Sequence, residues 1–485
     1  MSTSASILVI DVGTSGLRAA VVRPDVTVEH VHYRAAPPST PFPGLVEFDA
    51  GELAASVVEV ATAALAEGGP VGAVGIANQR ASTIVWDRST GEPVGPALGW
   101  QDLRTVIDCI VAKAEHGLAI APNQSITKAA WLLNTFDAER ARDLCFGTVD
   151  TWVAWVLSDG ALHVTDRSNA AVTGMLRGDA TTWDERALEA FRIPATMLPV
   201  LVDSTGLIGE ASVLPGSPPI CGIAGDQQAS LIGQGCVTPG RAKATFGTGG
   251  MLDLCTGTRP PAIHGRSPAG TFPIVAWTSG GEVMWGTEAI MLSAGSNVEW
   301  LRDDLGIIAT AAESHDVAAA CETADGVMYV PALLGLGTPQ WDYGARGTML
   351  GITRGTSRPH IVRAVLEGVA HRGADLLAAA EADSGLPVPA LRIDGGMSAN
   401  PTFVQALADA IQRPVEVSPV TEATTLGAAF LAGLAIGTWS GMDDIAASWC
   451  PARSVEPAGT ADRERWADAV RRAGGWIPDL SALDF

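Results

Sequence analysis

Pro219-Ile220-Cys221-Gly222-Ile223-Ala224-Gly225-Asp226-Gln227-Gln228-Ala229-Ser230 is an apolar run of strand length that ends abruptly in a carboxylate and two amides. An acid at the tip of a buried strand is costly unless it finds partners. Asp226 is therefore either the cap of the helix that follows, a position Asp favours, or a chemical group. Position alone favours the cap, and what raises the chemical reading is the rest of the chain.

Ile7 to Asp11 is an apolar strand, Val12-Gly13-Thr14-Ser15-Gly16 a tight turn, and Leu17 to Val22 a second strand. A hairpin tip of glycine and hydroxyl residues can aim N–H and O–H groups at a phosphate without a helix. It lacks the Gly-Lys-Ser/Thr of a Walker loop and is not a G-x-G-x-x-G fingerprint, so alone it reads as an ordinary hairpin. The same device recurs at Ala244-Thr245-Phe246-Gly247-Thr248-Gly249-Gly250-Met251-Leu252-Asp253-Leu254. Two copies half a chain apart predict duplicated lobes facing one cleft, with a triphosphate between the two glycine turns. The turn residues Val237-Thr238-Pro239-Gly240 predict a boundary between residues 1–239 and 240–485.

Val74 to Asn78 and Thr83 to Asp87 read as strands, and Glu52 to Glu67 and Thr127 to Phe136 as helices. In the second half, Leu391 to Asp394 runs into Gly395-Gly396-Met397-Ser398-Ala399-Asn400-Pro401. A helix follows with Val404, Leu407, Ala408 and Ile411 on one face. Strand, glycine loop and helix in that order can hold a nucleotide. The small residues of Thr424 to Gly433 predict either tight core packing or an inter-lobe hinge. The charged tail from Pro451 reads as solvated, without chemistry.

Charged residues are 17% and hydrophobic ones 47%, the balance of a folded chain. A formal charge of −22 argues against nucleic-acid and anionic-membrane partners, although a local basic pocket can still take phosphate. The seven cysteines are odd in number, dispersed and never paired as C-x-x-C, which suggests neither a disulfide framework nor a zinc site. No basic leader and no apolar run of membrane length is visible, so a soluble cytoplasmic protein is expected.

Several motifs together resemble the FGGY carbohydrate kinases of the actin-like ATPase superfamily, and within that family the glycerol kinases most. They are Asp11-Val12-Gly13-Thr14-Ser15; Asn78-Gln79-Arg80 with Trp86-Asp87 and Trp100-Gln101-Asp102; Asp150-Thr151-Trp152; Gly222 to Gln228; Pro331-Ala332 with Gly335-Leu336-Gly337; and Asp394-Gly395-Gly396. Gly347 through Gly351-Ile352 to His360-Ile361 and Ala364-Val365-Leu366-Glu367 follows the family's C-terminal signature. The N-terminal signature is degraded: Ser125, Lys128, Trp131 and Leu132 are in place, but Asn123 is not the usual residue.

The resemblance implies an α/β protein of two actin-like, ribonuclease H-like lobes, each a mixed sheet flanked by helices, with the active site in the cleft between them. The ligands it implies are ATP, Mg²⁺ and a small polyol or sugar, and it leaves a homodimer open. Asp226 would be the catalytic base. Gln79, Arg80, Trp100, Asp102, Asp226 and Gln227 would bind the substrate. Thr14, Ser15, Arg18, Gly247, Thr248 and Gly249 would contact phosphates, Gly396 and Asn400 would border adenine and ribose, and Asp11 with Asp226 would serve the metal. Three departures from the glycerol kinases surround one small pocket: Ala81 for an acidic residue, Asn123 for tyrosine, and Leu292 at or near an aromatic position. They predict a wider pocket. The glycine-rich loop that resembles a fructose-bisphosphate site in bacterial glycerol kinases is replaced by Val213-Leu214-Pro215-Gly216-Ser217-Pro218-Pro219. The competing class is a non-catalytic actin-like nucleotide switch, which has no need of Asp226-Gln227 beside Arg80 and Trp100.

Overall fold

The computed structural model describes residues 5–483. Among these described residues, thirteen strands form one mixed sheet. They are β1 (Ile7–Val12), β2 (Gly16–Val22), β3 (Val28–Ala35), β4 (Ala73–Asn78), β5 (Thr205–Glu210), β6 (Pro219–Gly225), β7 (Ala242–Phe246), β8 (Gly250–Gly257), β9 (Phe272–Ser279), β10 (Glu282–Met291), β11 (Leu391–Asp394), β12 (Val415–Val417) and β13 (Arg453–Val455). The helices that bear on the site are α1 (Ala50–Gly68), α2 (Asp226–Gly233), α3 (Arg358–Ser384), α4 (Pro401–Ile411), α5 (Ala423–Ile436) and α6 (Arg463–Ala473).

The spatial order is β13-β12-β11-β7-β8-β10-β9-β5-β6-β4-β1-β2-β3. One pairing pattern occurs twice. Antiparallel β3-β2-β1 continues into parallel β4 and β6, and antiparallel β10-β8-β7 continues into parallel β11 and β12. This is the duplication that the two glycine hairpins signal. The two mixed sheets expected from the sequence are joined edge to edge, where Thr205 of β5 pairs with Ser279 of β9. Strands β1, β4 and β6 are buried almost throughout, which explains their unbroken apolar sequences.

Helix α5 comes from the second half of the chain but lies on strands of the first. An added Cβ at Gly75 in β4 would sit 2.4 Å from Ala428 O. The crossing of α5 with α2 is closer still, since a Cβ at Gly427 would lie 1.8 Å from Ala229 O and one at Gly233 would lie 1.9 Å from Ala423 O. The small residues of 424–433 thus serve close backbone packing, and Leu426, Phe430 and Leu431 fill a core shared with Ile7, Val9 and Leu231.

The tail departs from its expected solvated state. In α6, Trp466 is buried, stacks on His371 at 4.7 Å between ring centroids and donates its indole N–H to Asp375 Oδ2 at 3.0 Å. Arg463 pairs with the same carboxylate. Trp466, Ala469, Val470 and Ala473 form a helical apolar stripe beneath the charges. No disulfide links the cysteines, and among the described residues no helix is long and apolar enough to cross a membrane.

Candidate active site

Parallel strands β1, β4 and β6 end level with one another, because Val12 pairs with Asn78 and Asn78 with Gly225. The segments leaving those ends carry Gly13-Thr14, Gln79-Arg80 and Asp226-Gln227. Carboxyl ends of parallel strands are where open α/β sheets hold ligands. The second half repeats the arrangement, with Gly247-Thr248 after β7 beside Gly395-Gly396 after β11.

Gly225, not Asp226, is the N-cap of α2, which removes the capping explanation for the acid. Asp226 Oδ1 accepts the Gln227 N–H at 2.8 Å and lies 3.5 Å from Arg80 Nε. Its side chain keeps 31% of its exposure. Burial raises its pKa, against the opposing pull of Arg80, the Gln227 N–H and Lys243. A partly exposed carboxylate of raised basicity suits proton transfer. Gly225 also makes room, since a Cβ there would lie 2.7 Å from the Arg80 side-chain stem. Arg80 can therefore cross the strand end and donate from Nη2 to Glu288 Oε2 at 2.6 Å. That bond ties the first half of the chain to the second.

Asp11 is almost fully buried on β1, and Arg18, its cross-strand neighbour on β2, lies 3.6 Å away. Burial pushes the Asp11 carboxyl up to about 6, with Arg18 opposing the rise and Asp226 adding to it. Arg18 also pairs with Glu422, just ahead of α5. Among the described residues no group of three or more His, Cys, Asp or Glu side chains could enclose a metal. Asp11 and Asp226 instead resemble the sparse carboxylate set that Mg²⁺ accepts when phosphates and waters complete its shell. The buried Asp11, reluctant to ionise by itself, fits a bound cation.

Thr14 Oγ1 accepts the Trp100 indole N–H at 3.1 Å, and Ser15 and Thr248 are exposed at the two glycine turns. Gly395 has φ +85°, and a Cβ on it would lie 2.5 Å from Phe246 O. Glycine is thus required where β7 and β11 come together. Gly396 faces open space, with nothing within 4 Å of an added Cβ. Asn400 caps α4 by accepting the Phe403 N–H at 3.1 Å and donates to Ser314 Oγ at 2.9 Å.

Gln79 is largely buried, donating to Gly13 O at 3.2 Å and accepting from Ser82 Oγ at 3.0 Å. Asp102 has a different task from the one expected of it. It is fully buried, and its oxygens accept from Val46 N at 2.6 Å and from the Arg104 guanidinium at 2.8 Å. Those bonds hold the loop behind Trp100 and leave the carboxylate no exposed face for a substrate. Ala81 is buried at φ +62°, and its carbonyl accepts from Ser125 Oγ at 2.9 Å. Lys128 Nζ donates to Pro122 O at 2.6 Å and Gln124 O at 3.1 Å, on either side of exposed Asn123. Ser125 and Lys128 therefore brace the backbone beside two of the three departures.

Sequence reasoning missed Lys243, Asp253 and Glu288. Register aligns them across the sheet, Lys243 opposite Asp253 and Asp253 opposite Glu288, on β7, β8 and β10. The available signal was a charge inside an apolar strand, as in Ala242-Lys243-Ala244 and Leu252-Asp253-Leu254.

These features describe a two-lobed phosphotransferase cleft, and the chain belongs to the FGGY family of carbohydrate kinases. The family's N-terminal domain matches residues 6–233 and its C-terminal domain residues 242–436. It is an ATP-dependent kinase. Among its relatives, the glycerol kinase of Aromatoleum aromaticum is 42% identical over 495 residues, covering 97% of this chain and 99% of that one. The glycerol kinase of Bordetella parapertussis is 42% identical over 504 residues, covering 98% of each. In structure the chain is similar to Plasmodium falciparum glycerol kinase with ADP, at TM-score 0.89 and 27% identity over 99% of each chain. It is also similar to a xylulose kinase from Brucella ovis, at TM-score 0.85 and 25% identity over 98% of this chain and 99% of that one.

Proposed function

We propose that the chain transfers the γ-phosphoryl group of ATP to a terminal hydroxyl of a small polyol or sugar, with Asp226 accepting the hydroxyl proton. The observation that carries this reading is the Asp226 carboxylate at the end of β6, partly exposed and held by Arg80 and the Gln227 N–H. Phosphoryl transfer needs chiefly a positioned hydroxyl, a proton acceptor and stabilised phosphoryl charge. Gln79, Arg80, Trp100 and Gln227 would orient the acceptor. Thr14, Ser15, Arg18 and the Gly247-Thr248-Gly249 turn would hold the phosphates, with Gly396 and Asn400 at the nucleoside. Asp11, joined by Asp226, would hold Mg²⁺, which when bound neutralises phosphate charge. Residues 1–239 and 240–485 would form the two lobes, working in the cytoplasm.

The acceptor we infer is a polyol or ketose of four or five carbons. Ala81 offers no carboxylate to a substrate hydroxyl, and Asn123 and Leu292 offer no aromatic wall to grip three carbons. A site built around particular hydroxyls discriminates by as much as about 10⁴–10⁵ against molecules lacking them. Glycerol is the competing acceptor, favoured by the 42% identity to glycerol kinases. ADP release measured with glycerol, erythritol, xylitol and D-xylulose at equal concentration decides between them. The highest kcat/KM is expected for a four- or five-carbon compound, and a highest value for glycerol would overturn the chain-length reading.

A further inference from the structure

Lys243 and Asp253 are both fully buried, side by side on β7 and β8, with Lys243 Nζ 2.8 Å from Asp253 Oδ2. Lys243 also donates to Thr245 Oγ1 at 3.1 Å and to the side-chain oxygen of Gln227, Oε1, at 2.6 Å. Gln227 belongs to α2, next to Asp226. Removing two charges from water is expensive, and an apolar pair of similar volume would pack at least as well. The ion pair therefore calls for an explanation beyond stability.

An ammonium carries donors only, so it can face the oxygen of an amide and never its nitrogen. Rotating the Gln227 amide would bring its N–H groups against the Lys243 charge. Oε1 is thus committed to Lys243, and Nε2, which has no partner among the described residues, is left as the free end. Asp253 fixes the position of Lys243, and Glu288, in register with Asp253, holds Arg80, whose Nε lies 3.5 Å from Asp226 Oδ1. The charged row thereby sets both neighbours of the proposed base.

We propose that Lys243, held by Asp253, is a positioning residue that locks the Gln227 amide with its N–H groups toward the acceptor, so that the site presents a donor there. This rests on the reading of the cleft as a polyol or sugar kinase site. The test is a kinetic cycle of four proteins: the parent, Lys243→Met with Asp253→Leu, Gln227→Ala, and all three changes together. The paired change removes both charges and leaves neither buried alone. Each protein is assayed with whichever of glycerol, erythritol, xylitol and D-xylulose the parent uses best.

The expected result is a rise of roughly 10- to 100-fold in acceptor KM on replacing the pair, the range of a hydrogen bond to a charged group. KM for ATP should stay within about twofold, and replacing the pair in the Gln227→Ala background should change acceptor KM by less than about twofold, since coupled residues are not additive. The same rise in both backgrounds would mean that the pair acts only through the core and would overturn the proposal, as would no rise in the parent. If the paired variant does not fold, Asp253→Asn replaces it, with a smaller rise that must also vanish beside Gln227→Ala. A parent that phosphorylates none of the four compounds would contradict the proposed acceptor class instead. The cycle is then read from thermal stabilisation by acceptor with a non-hydrolysable ATP analogue, and a parent stabilised by none of them would overturn both readings.

Discussion

Gly427→Ala probes how the fold holds the site. The added Cβ would lie 1.8 Å from Ala229 O, 2.5 Å from its carbonyl carbon and 2.9 Å from its Cα, whereas ordinary contact begins near 3.4 Å. The two helices must then part by about 1.6 Å, backbone against backbone, with no flexible side chain to yield. Overpacking costs about 1–3 kcal/mol, and contact with main chain puts this case near ~3 kcal/mol. An unfolding entropy of ~2.1 cal/mol/K per residue amounts to ~1 kcal/mol/K for the whole chain, so Tm should fall by ~3 °C if it unfolds as one unit. Asp226 begins the displaced helix, three positions before Ala229. Misplacement by ~1 Å can cost ~10²-fold in rate, so kcat should fall roughly 10- to 100-fold. Calorimetry and steady-state ADP release on the same preparation measure both. Gly396→Ala, which adds a Cβ in open space, is the control and should melt within about 1 °C of the parent. A Gly427→Ala protein with the parent's Tm and kcat would refute the claim that this crossing positions the acid.

Other predictions concern the acceptor and the metal. Ala81→Glu with Asn123→Tyr should raise kcat/KM for glycerol and lower it for the preferred longer acceptor, measured by ADP release; a fall for both would mean that these positions do not set chain length. Asp11, with its pKa raised from 3.8 to about 6, disfavours its own ionisation in the fold. That cost is absent below pH ~4 and fully present above pH ~6, where it reaches about 3 kcal/mol. A bound cation relieves it, so the rise in Tm caused by Mg²⁺ with ATP should be larger at pH 7.5 than at pH 5, and Asp11→Asn should shrink that difference. Equal shifts at the two pH values would remove Asp11 from the metal site.

The features legible in the sequence are those set by local pattern. The strand-turn-strand at Asp11 and its copy at Gly247 required only apolar runs broken by glycine, and they are enough to suggest the duplication. The end of β6 at Asp226 is visible for the same reason. What Asp102 does was hidden, because its partners are Arg104, two residues away, and Val46, 56 residues away, and only the folded loop brings them together. Lys243, Asp253 and Glu288 were hidden by register, since a charge in an apolar strand discloses its purpose only when the opposing strand is known. In α6 the abundance of charge masked the stripe through Trp466.

The central claim is that Asp226 accepts the proton of the acceptor hydroxyl, and Asp226→Asn tests it most directly. The amide keeps the size of the side chain and its place beside Arg80 but cannot take the proton. Steady-state kinetics on folded mutant protein should give a kcat lower by roughly 10²–10⁴, with KM for ATP little changed. A kcat within about threefold of the parent, well below one general-base contribution, would contradict the account.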